Sequence, residues 1–352
     1  MTSVGKSILA LTLTGLGQRA SFLLYVLALF CLLGLAGCDS RPEIIKISGS
    51  KMGTTYHITV VADQPAPRDL AERIDAALDV VDLSMSTYKA ESEISKFNAL
   101  PIDISQQISA DFAHVLRVSE TVWQQSNGAF DPTVGPLVDL WGFGPQRGDD
   151  VVPSEDQIGE ALASTGFQYM QLSESQISKT SPVRLDLSAV AKGYAVDLVA
   201  DLLEMLALPD YLVEVGGEMR LGGSNSLGKP WRIAVEQPSV IPQVQRIIEL
   251  GDVAMATSGD YRNYFEVDGV RYSHTIDPRT GRPITHSLAS VTVLAPTCAE
   301  ADAWATALSV MGEEQGLAVA EQLNLPVYML VKSENGFKAV SSLAFDPYLN
   351  DQ

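Results

Sequence analysis

Wound as a helix, residues 298–311 are apolar on every side. Ala301, Ala303, Trp304, Ala305, Ala307 and Leu308 surround the axis, so this helix has to be enclosed and the rest of the chain built around it. Asp302 and Thr306, four residues apart, share one face. A carboxylate inside such a helix needs a partner. Carboxylate and hydroxyl are hard oxygen donors of the kind magnesium accepts when phosphates and water complete its shell; the same spacing also serves solvated faces and side-chain bonds back to the helix.

Elsewhere the pattern mixes strands and helices without regular alternation. Strands are predicted at 44–48, 54–62, 184–188, 211–215, 219–221, 232–236, 244–249, 253–257, 290–294, 327–331 and 337–340. In the second of these Tyr56, Ile58 and Val60 alternate with Thr55, His57 and Thr59. Helices are predicted at 68–83, 109–125, 189–206 and 298–311, with a short turn from Ser92 to Asn98. Ser109 caps one helix, and Ser154 caps another after a Gly- and Pro-rich loop at 141–152. No internal repeat or low-complexity tract interrupts this. The irregular mixture predicts an α+β fold rather than a doubly wound sheet.

Lys6 and Arg19 precede an apolar run from Phe22 to Leu35, the length of a signal-peptide core and short for a membrane span. It ends in Leu35-Ala36-Gly37-Cys38, which resembles the bacterial lipoprotein pattern and implies cleavage before a lipidated Cys38. Residues 1–37 are then signal peptide, 38–43 a lipidated tether and 44–345 the folded domain. Asp39 resembles an inner-membrane retention signal, so the expected location is the bacterial inner membrane, anchored on the periplasmic side. Removing Lys6 and Arg19, and no acidic residue, takes the net charge from −19 to −21. That balance excludes nucleic acid and anionic lipid as ligands, because both require basic surface. With Cys31 removed and Cys38 acylated, Cys298 is the remaining thiol, so no internal disulfide is available and the core alone must hold the fold.

The richest polar stretch is Ser273-His274-Thr275-Ile276-Asp277-Pro278-Arg279-Thr280-Gly281. Pro278 presets φ and Gly281 permits positive φ, so the chain should turn sharply there. Histidine is scarce (His57, His114, His274 and His286), which makes His274 a candidate proton carrier, although an ordinary capped turn would read similarly. Gly53, Gly216, Gly217 and Gly259 stand where strands should end and would let backbone amides approach a phosphate. Neither G-x-G-x-x-G nor G-x-x-x-x-G-K-[ST] occurs, so the common nucleotide folds are unsupported. Lys192 could offset a phosphate charge, although a lone lysine also reads as a solvated surface residue, and Tyr88 and Phe130 could stack on a planar ring or simply fill the core.

Eight motifs occur in a recognisable order: Lys51-Met52-Gly53-Thr54, Ser86-Thr87-Tyr88, Gly128-Ala129-Phe130-Asp131-Pro132, Asp186 to Gly193, Gly216-Gly217-Glu218, Ala256-Thr257-Ser258-Gly259, His274 to Gly281 and Ala301 to Thr306. This set resembles the ApbE family of FAD:protein FMN transferases, with Ser188 where many relatives carry glycine. The resemblance implies a T-fold-related arrangement of mixed sheets with packed helices and a flavin site between the sheet-rich halves. It implies that Met52, Tyr88, Ala129, Phe130, Asp131, Asp186, Lys192, Thr275 and Ile276 contact FAD. It further implies that magnesium is held by Asp302, Thr306 and the main-chain oxygen of Ala189, and that His274 is the base. The implied reaction transfers FMN from FAD to a Ser or Thr hydroxyl and releases AMP. Implied acceptors are flavoprotein subunits of membrane redox complexes, such as the sodium-translocating NADH:quinone reductase or the Rnf type. FAD hydrolysis to FMN and AMP, or FAD storage without turnover, are the alternatives.

Overall fold

Eight strands pair in the order in which they occur in the chain: β1 (Glu43–Lys51), β2 (Thr54–Ala62), β3 (Asp210–Val215), β4 (Glu218–Gly222), β5 (Val253–Gly259), β6 (Leu288–Ala295), β7 (Val327–Ser333) and β8 (Gly336–Ser341). Every neighbouring pair is antiparallel, so the sheet is one long meander with everything else inserted between its strands. This is the expected α+β class. The computed structural model describes residues 42–145, 151–238, 243–259, 264–334 and 336–349. The predicted signal peptide, Cys38 and Asp39 lie outside the described residues, as does 146–150 of the predicted loop.

Strand alternation sorts the sheet's two faces. Val60, Ala254, Ala256, Val291, Val293, Val327 and Met329 face a helical layer. Val61, Met255, Leu294, Tyr328 and Leu330, one residue out of phase, face a second core closed by Trp231, Ile233, Ile248 and Phe345. That second cover is a hairpin, Trp231–Glu236 with Val244–Leu250, inserted between β4 and β5. With cover on both faces, β6 is buried along its whole length, including the polar Ser290 and Thr292 among its apolar residues.

Most of the helical layer is inserted between β2 and β3: α1 (Leu70–Met85), α2 (Glu93–Ala99), α3 (Ala110–Gln125), α4 (Gly135–Leu140), α5 (Glu155–Ala163) and α6 (Ala191–Met205). Another helix, α7 (Cys298–Leu323), is inserted between β6 and β7. The predicted serine caps form: Ser92 Oγ accepts from Ser95 N, Ser109 Oγ from Phe112 N, and Ser154 exchanges both bonds of a capping box with Gln157. Helix α7 packs on β5 and β6, flanked by α6 and α3, which encloses its first half as its composition requires. Gly312, at φ 80° and ψ 179°, breaks the helix where its apolar pattern stops, and beyond it only Gly316 and Ala320 are buried.

One predicted strand does not form. Residues 184–188 join no sheet, apart from a single bridge from Arg184 to Val134. Their backbone groups find other partners. Asn98 Oδ1 accepts from Leu185 N at 2.7 Å, Asn98 Nδ2 donates to Leu185 O at 2.9 Å, and Asp186 N donates to Pro132 O at 2.7 Å. Helix α6 correspondingly starts at Ala191, after a turn at 188–190, and not at Ala189. Elements absent from the sequence reading are α4, a small sheet of Gln106–Gln107, Gln176–Lys179 and Met170–Leu172, and a hairpin of Tyr264–Val267 with Val270–Ser273. Leu137, Trp141, Ile158, Phe265 and Ile276 form a third, smaller core that ties α4, α5, this hairpin and the following turn together.

Candidate active site

The sharp turn forms as expected. Ile276–Asp277 pairs with Arg282–Pro283, Gly281 N donates to Asp277 O at 2.8 Å, and Gly281 adopts φ 70°. Asp277 is committed to this turn: Oδ1 accepts from the amide and Nε of Arg279, and Oδ2 pairs with Arg279 Nη2 at 2.8 Å. Trp141 Nε1 donates to Gly281 O at 2.8 Å, anchoring the turn to the third core. His274 stands just before the turn, with the Phe143 ring edge-on to it at 6.3 Å.

A cleft of about 470 Å³ opens beside His274. Its floor is made by the first turn of α6, which supplies Lys192, and the second and third turns of α7, which supply Asp302 and Thr306; Gly216, Glu218, Thr257, Ser258 and Gly259 come from strand ends. Of the residues expected in the site, Tyr88, Asp186, Ala189, Lys192, His274, Thr275, Ile276, Asp302 and Thr306 line this one cleft. Tyr88 stands at its edge, 74% exposed. Asp186 Oδ1 accepts from Ser188 N at 2.9 Å, which shapes the turn leading into α6.

Four expected residues do not line this cleft. Met52 sits at φ 54° in the β1–β2 turn and packs against the main core. Ala129 and Phe130 are buried in that core. Asp131 is buried too; it accepts from the amide and hydroxyl of Thr133 and from Phe167 N, and borders a separate depression of about 450 Å³ with Trp123, Asn127 and Arg279. Burial pushes the Asp131 carboxyl above its ordinary range against the pull of those hydrogen bonds.

The cleft floor is short of positive charge. Lys192 Nζ lies 2.5 Å from Glu218 Oε1 and 3.9 Å from Asp302 Oδ2, so two buried carboxylates share one ammonium. Among the described residues, Glu218 Oε2 has no hydrogen-bond partner. Burial, and then the Asp302 charge, push Glu218 up to about 7 against the opposing pull of Lys192. Burial likewise raises Asp302, opposed by Lys192 and by the Gly193 amide, which donates to Oδ2 at 3.1 Å. Although burial works against its charge, Asp302 and Glu218 hold the Lys192 ammonium above the usual lysine range. A site with spare carboxylate charge fits a cation. Asp302, Thr306 and Ala189 all line the cleft, and Thr306 Oγ1 is 3.2 Å from Ser258 Oγ. Among the described residues no three or more His, Cys, Asp or Glu gather into a closed metal centre, so a cation here would complete its shell with water and substrate oxygens.

Sequence reasoning passed over Glu218, Ser258 and Phe143 as site residues. The signal for Glu218 was available: an acid directly after Gly-Gly at a strand end. Nothing local marks Ser258 as a neighbour of Thr306, or Phe143 as a neighbour of His274.

In fold the chain is similar to the flavin transferases. The structure titled flavin transferase ApbE from Vibrio cholerae matches with a TM-score of 0.82 and 46% identity, over 87% of this chain and 99% of that one. Pseudomonas stutzeri flavinyl transferase ApbE, in its apo form, matches with a TM-score of 0.83 and 40% identity, over 89% of this chain and 99% of that one. The chain belongs to the ApbE family, whose model matches residues 52–329. Curated relatives agree: a FAD:protein FMN transferase of Vibrio cholerae is 48% identical over 335 residues, covering 93% of this chain and 99% of the relative. The protein of the same name from Escherichia coli K12 is 40% identical, covering 89% and 93%.

Proposed function

We propose that this chain transfers FMN from FAD to a Ser or Thr hydroxyl of another protein, forming a phosphoester and releasing AMP. The observation that carries this reading is the convergence of His274, Lys192, Asp302, Thr306 and Tyr88, from distant stretches of a chain of the ApbE family, on one cleft. The acceptor hydroxyl oxygen attacks the FMN-side phosphorus, a new P–O bond forms, the diphosphate P–O bond breaks and AMP carries away the other phosphate. His274, at the cleft wall, takes the hydroxyl proton, a contribution typically worth about two to four orders of magnitude in rate. Lys192 lies where it can face the diphosphate, and Tyr88 offers a ring face to a planar group at the edge. Magnesium, held by Asp302, Thr306 and the main-chain oxygen of Ala189, would offset diphosphate charge in a protein this acidic.

The N-terminal pattern ending at Cys38 and Asp39 supports a lipid-anchored enzyme on the periplasmic side of the inner membrane. Acceptors are then flavoprotein subunits of membrane redox complexes, of the sodium-translocating NADH:quinone reductase or Rnf type.

The test is intact-mass spectrometry of a candidate acceptor domain incubated with residues 39–352, FAD and magnesium, beside an acceptor lacking its target hydroxyl. The expected result is a gain of one FMN phosphoester on the intact acceptor alone, with AMP released. AMP release without acceptor modification would make the chain a FAD pyrophosphatase, and bound FAD that survives magnesium would make it a storage protein.

A further inference from the structure

Lys192 does not divide itself evenly between its two carboxylates. Its ammonium is in contact with Glu218 Oε1 at 2.5 Å and stands off from Asp302 Oδ2 at 3.9 Å. Three elements meet here: the first turn of α6 brings Lys192 and Gly193, the second turn of α7 brings Asp302, and β4 begins with Glu218. The next cation along β4, Arg220, is engaged by Asp197, Asp201 and Glu204 of α6. Among the described residues, Lys192 is therefore the one cation shown within ion-pairing distance of Asp302 or Glu218. Glu218 is only 6% exposed and its second oxygen is unpartnered, so it has lost its hydration to sit where it does. A buried glutamate whose ion-pair partner is Lys192 requires an explanation beyond packing.

We infer that Glu218 is a positioning residue: by drawing the Lys192 ammonium onto itself it keeps that ammonium off Asp302 and leaves the Asp302 carboxylate open to a divalent cation. A lysine in contact with Asp302 would be a built-in competitor at the same oxygens. Closing the gap from 3.9 Å to contact, at the effective dielectric of a protein site, would strengthen the lysine's hold on Asp302 by about tenfold. The incoming cation would have to overcome that hold. The inference rests on Asp302 as a cation ligand, and it applies before flavin or acceptor arrives.

The experiment is a manganese(II) titration of the protein without flavin or acceptor, with free metal read by electron paramagnetic resonance, so its outcome is independent of whether the chain transfers FMN. Four variants are compared with the unmodified protein: Asp302→Asn, Glu218→Gln, Lys192→Met and the Lys192→Met/Glu218→Gln double. Asp302→Asn should abolish the site. Glu218→Gln should weaken manganese binding about tenfold, because the released ammonium moves onto Asp302. Lys192→Met should bind more tightly than the unmodified protein, and the double variant should recover at least the unmodified affinity. A Glu218→Gln variant that binds normally overturns the inference. So does a double variant as weak as Glu218→Gln, which would make Glu218 a ligand in its own right, and so does an Asp302→Asn protein that binds as before. If Glu218→Gln fails to fold, as judged by circular dichroism, Lys192→Met alone decides: tighter binding supports the inference, and equal or weaker binding overturns it.

Discussion

A Cβ placed on Gly193 would lie 2.3 Å from the carbonyl oxygen of Cys298. The helices that carry Lys192 and Asp302 therefore meet backbone to backbone at their first turns, and the same contact brings the Gly193 amide to Asp302. Asp197, one turn further along α6, accepts from the amides of both Cys298 and Ala299 and pins the start of α7 in the same place. Gly193→Ala should cost about 1–3 kcal/mol, because the atom in the way belongs to main chain and cannot rotate aside. The melting temperature should fall, and activity should fall further than the folded fraction as the helices separate. A variant that melts with the unmodified protein would show that the helices have room to spare.

Asp302→Ala and His274→Ala should fail in different ways. Removing Asp302 should abolish transfer together with its dependence on magnesium. Removing His274 should leave FAD binding intact, followed by flavin fluorescence, and slow acceptor labelling by about two to four orders of magnitude. Labelling at the normal rate by the His274 variant would take the proton-transfer role away from that residue.

Tyr88 is 74% exposed at the cleft edge, so Tyr88→Ala should leave the melting temperature unchanged. If its ring stacks on the flavin or the adenine, FAD should bind about tenfold more weakly, the upper range for such a pair. An unchanged dissociation constant would mean that the ring serves another purpose.

Asp131 sets a pH dependence of stability. Burial holds its carboxyl above the ordinary value of 3.8 in the folded protein, so over that interval the folded state binds more protons than the unfolded one. Stability from this group is complete below pH 3.8 and is lost as pH rises through the folded value. Relative to Asp131→Asn, the unmodified protein should lose up to about 1.4 kcal/mol per pH unit across that window and then level off. Urea denaturation of both proteins from about pH 3 to pH 7 measures the difference. Parallel curves would mean that the Thr133 and Phe167 bonds fully offset burial.

Much of the framework was legible in the chain because the interactions that set it are local. An all-apolar helix at 298–311 had to be enclosed, and Gly312 ends it where the pattern ends. Ser92, Ser109 and Ser154 cap helices through bonds spanning three residues, and the Pro278-to-Gly281 turn closes over four. Residues 184–188 misled because their composition suits a strand, yet an asparagine 87 positions away had already taken the backbone bonds of Leu185. The hairpin at Tyr264–Val267 was hidden for a different reason: two four-residue strands carry too little periodicity to stand out.

For the site, composition and motif order determined which side chains were available: His274, Lys192, Asp302, Thr306, Tyr88 and the glycines at strand ends. Which of them meet, and on what terms, was decided by packing across long separations. Lys192 reaches Glu218 over 26 positions, Ser258 reaches Thr306 over 48, and the Gly193 amide reaches Asp302 over 109. Phe130 and Asp131 are buried, and neither lines the cleft that holds His274. A residue's chemistry travels with its side chain. Its charge state and its partner depend on how much water the fold removes around it, and that is set by elements far apart in the chain.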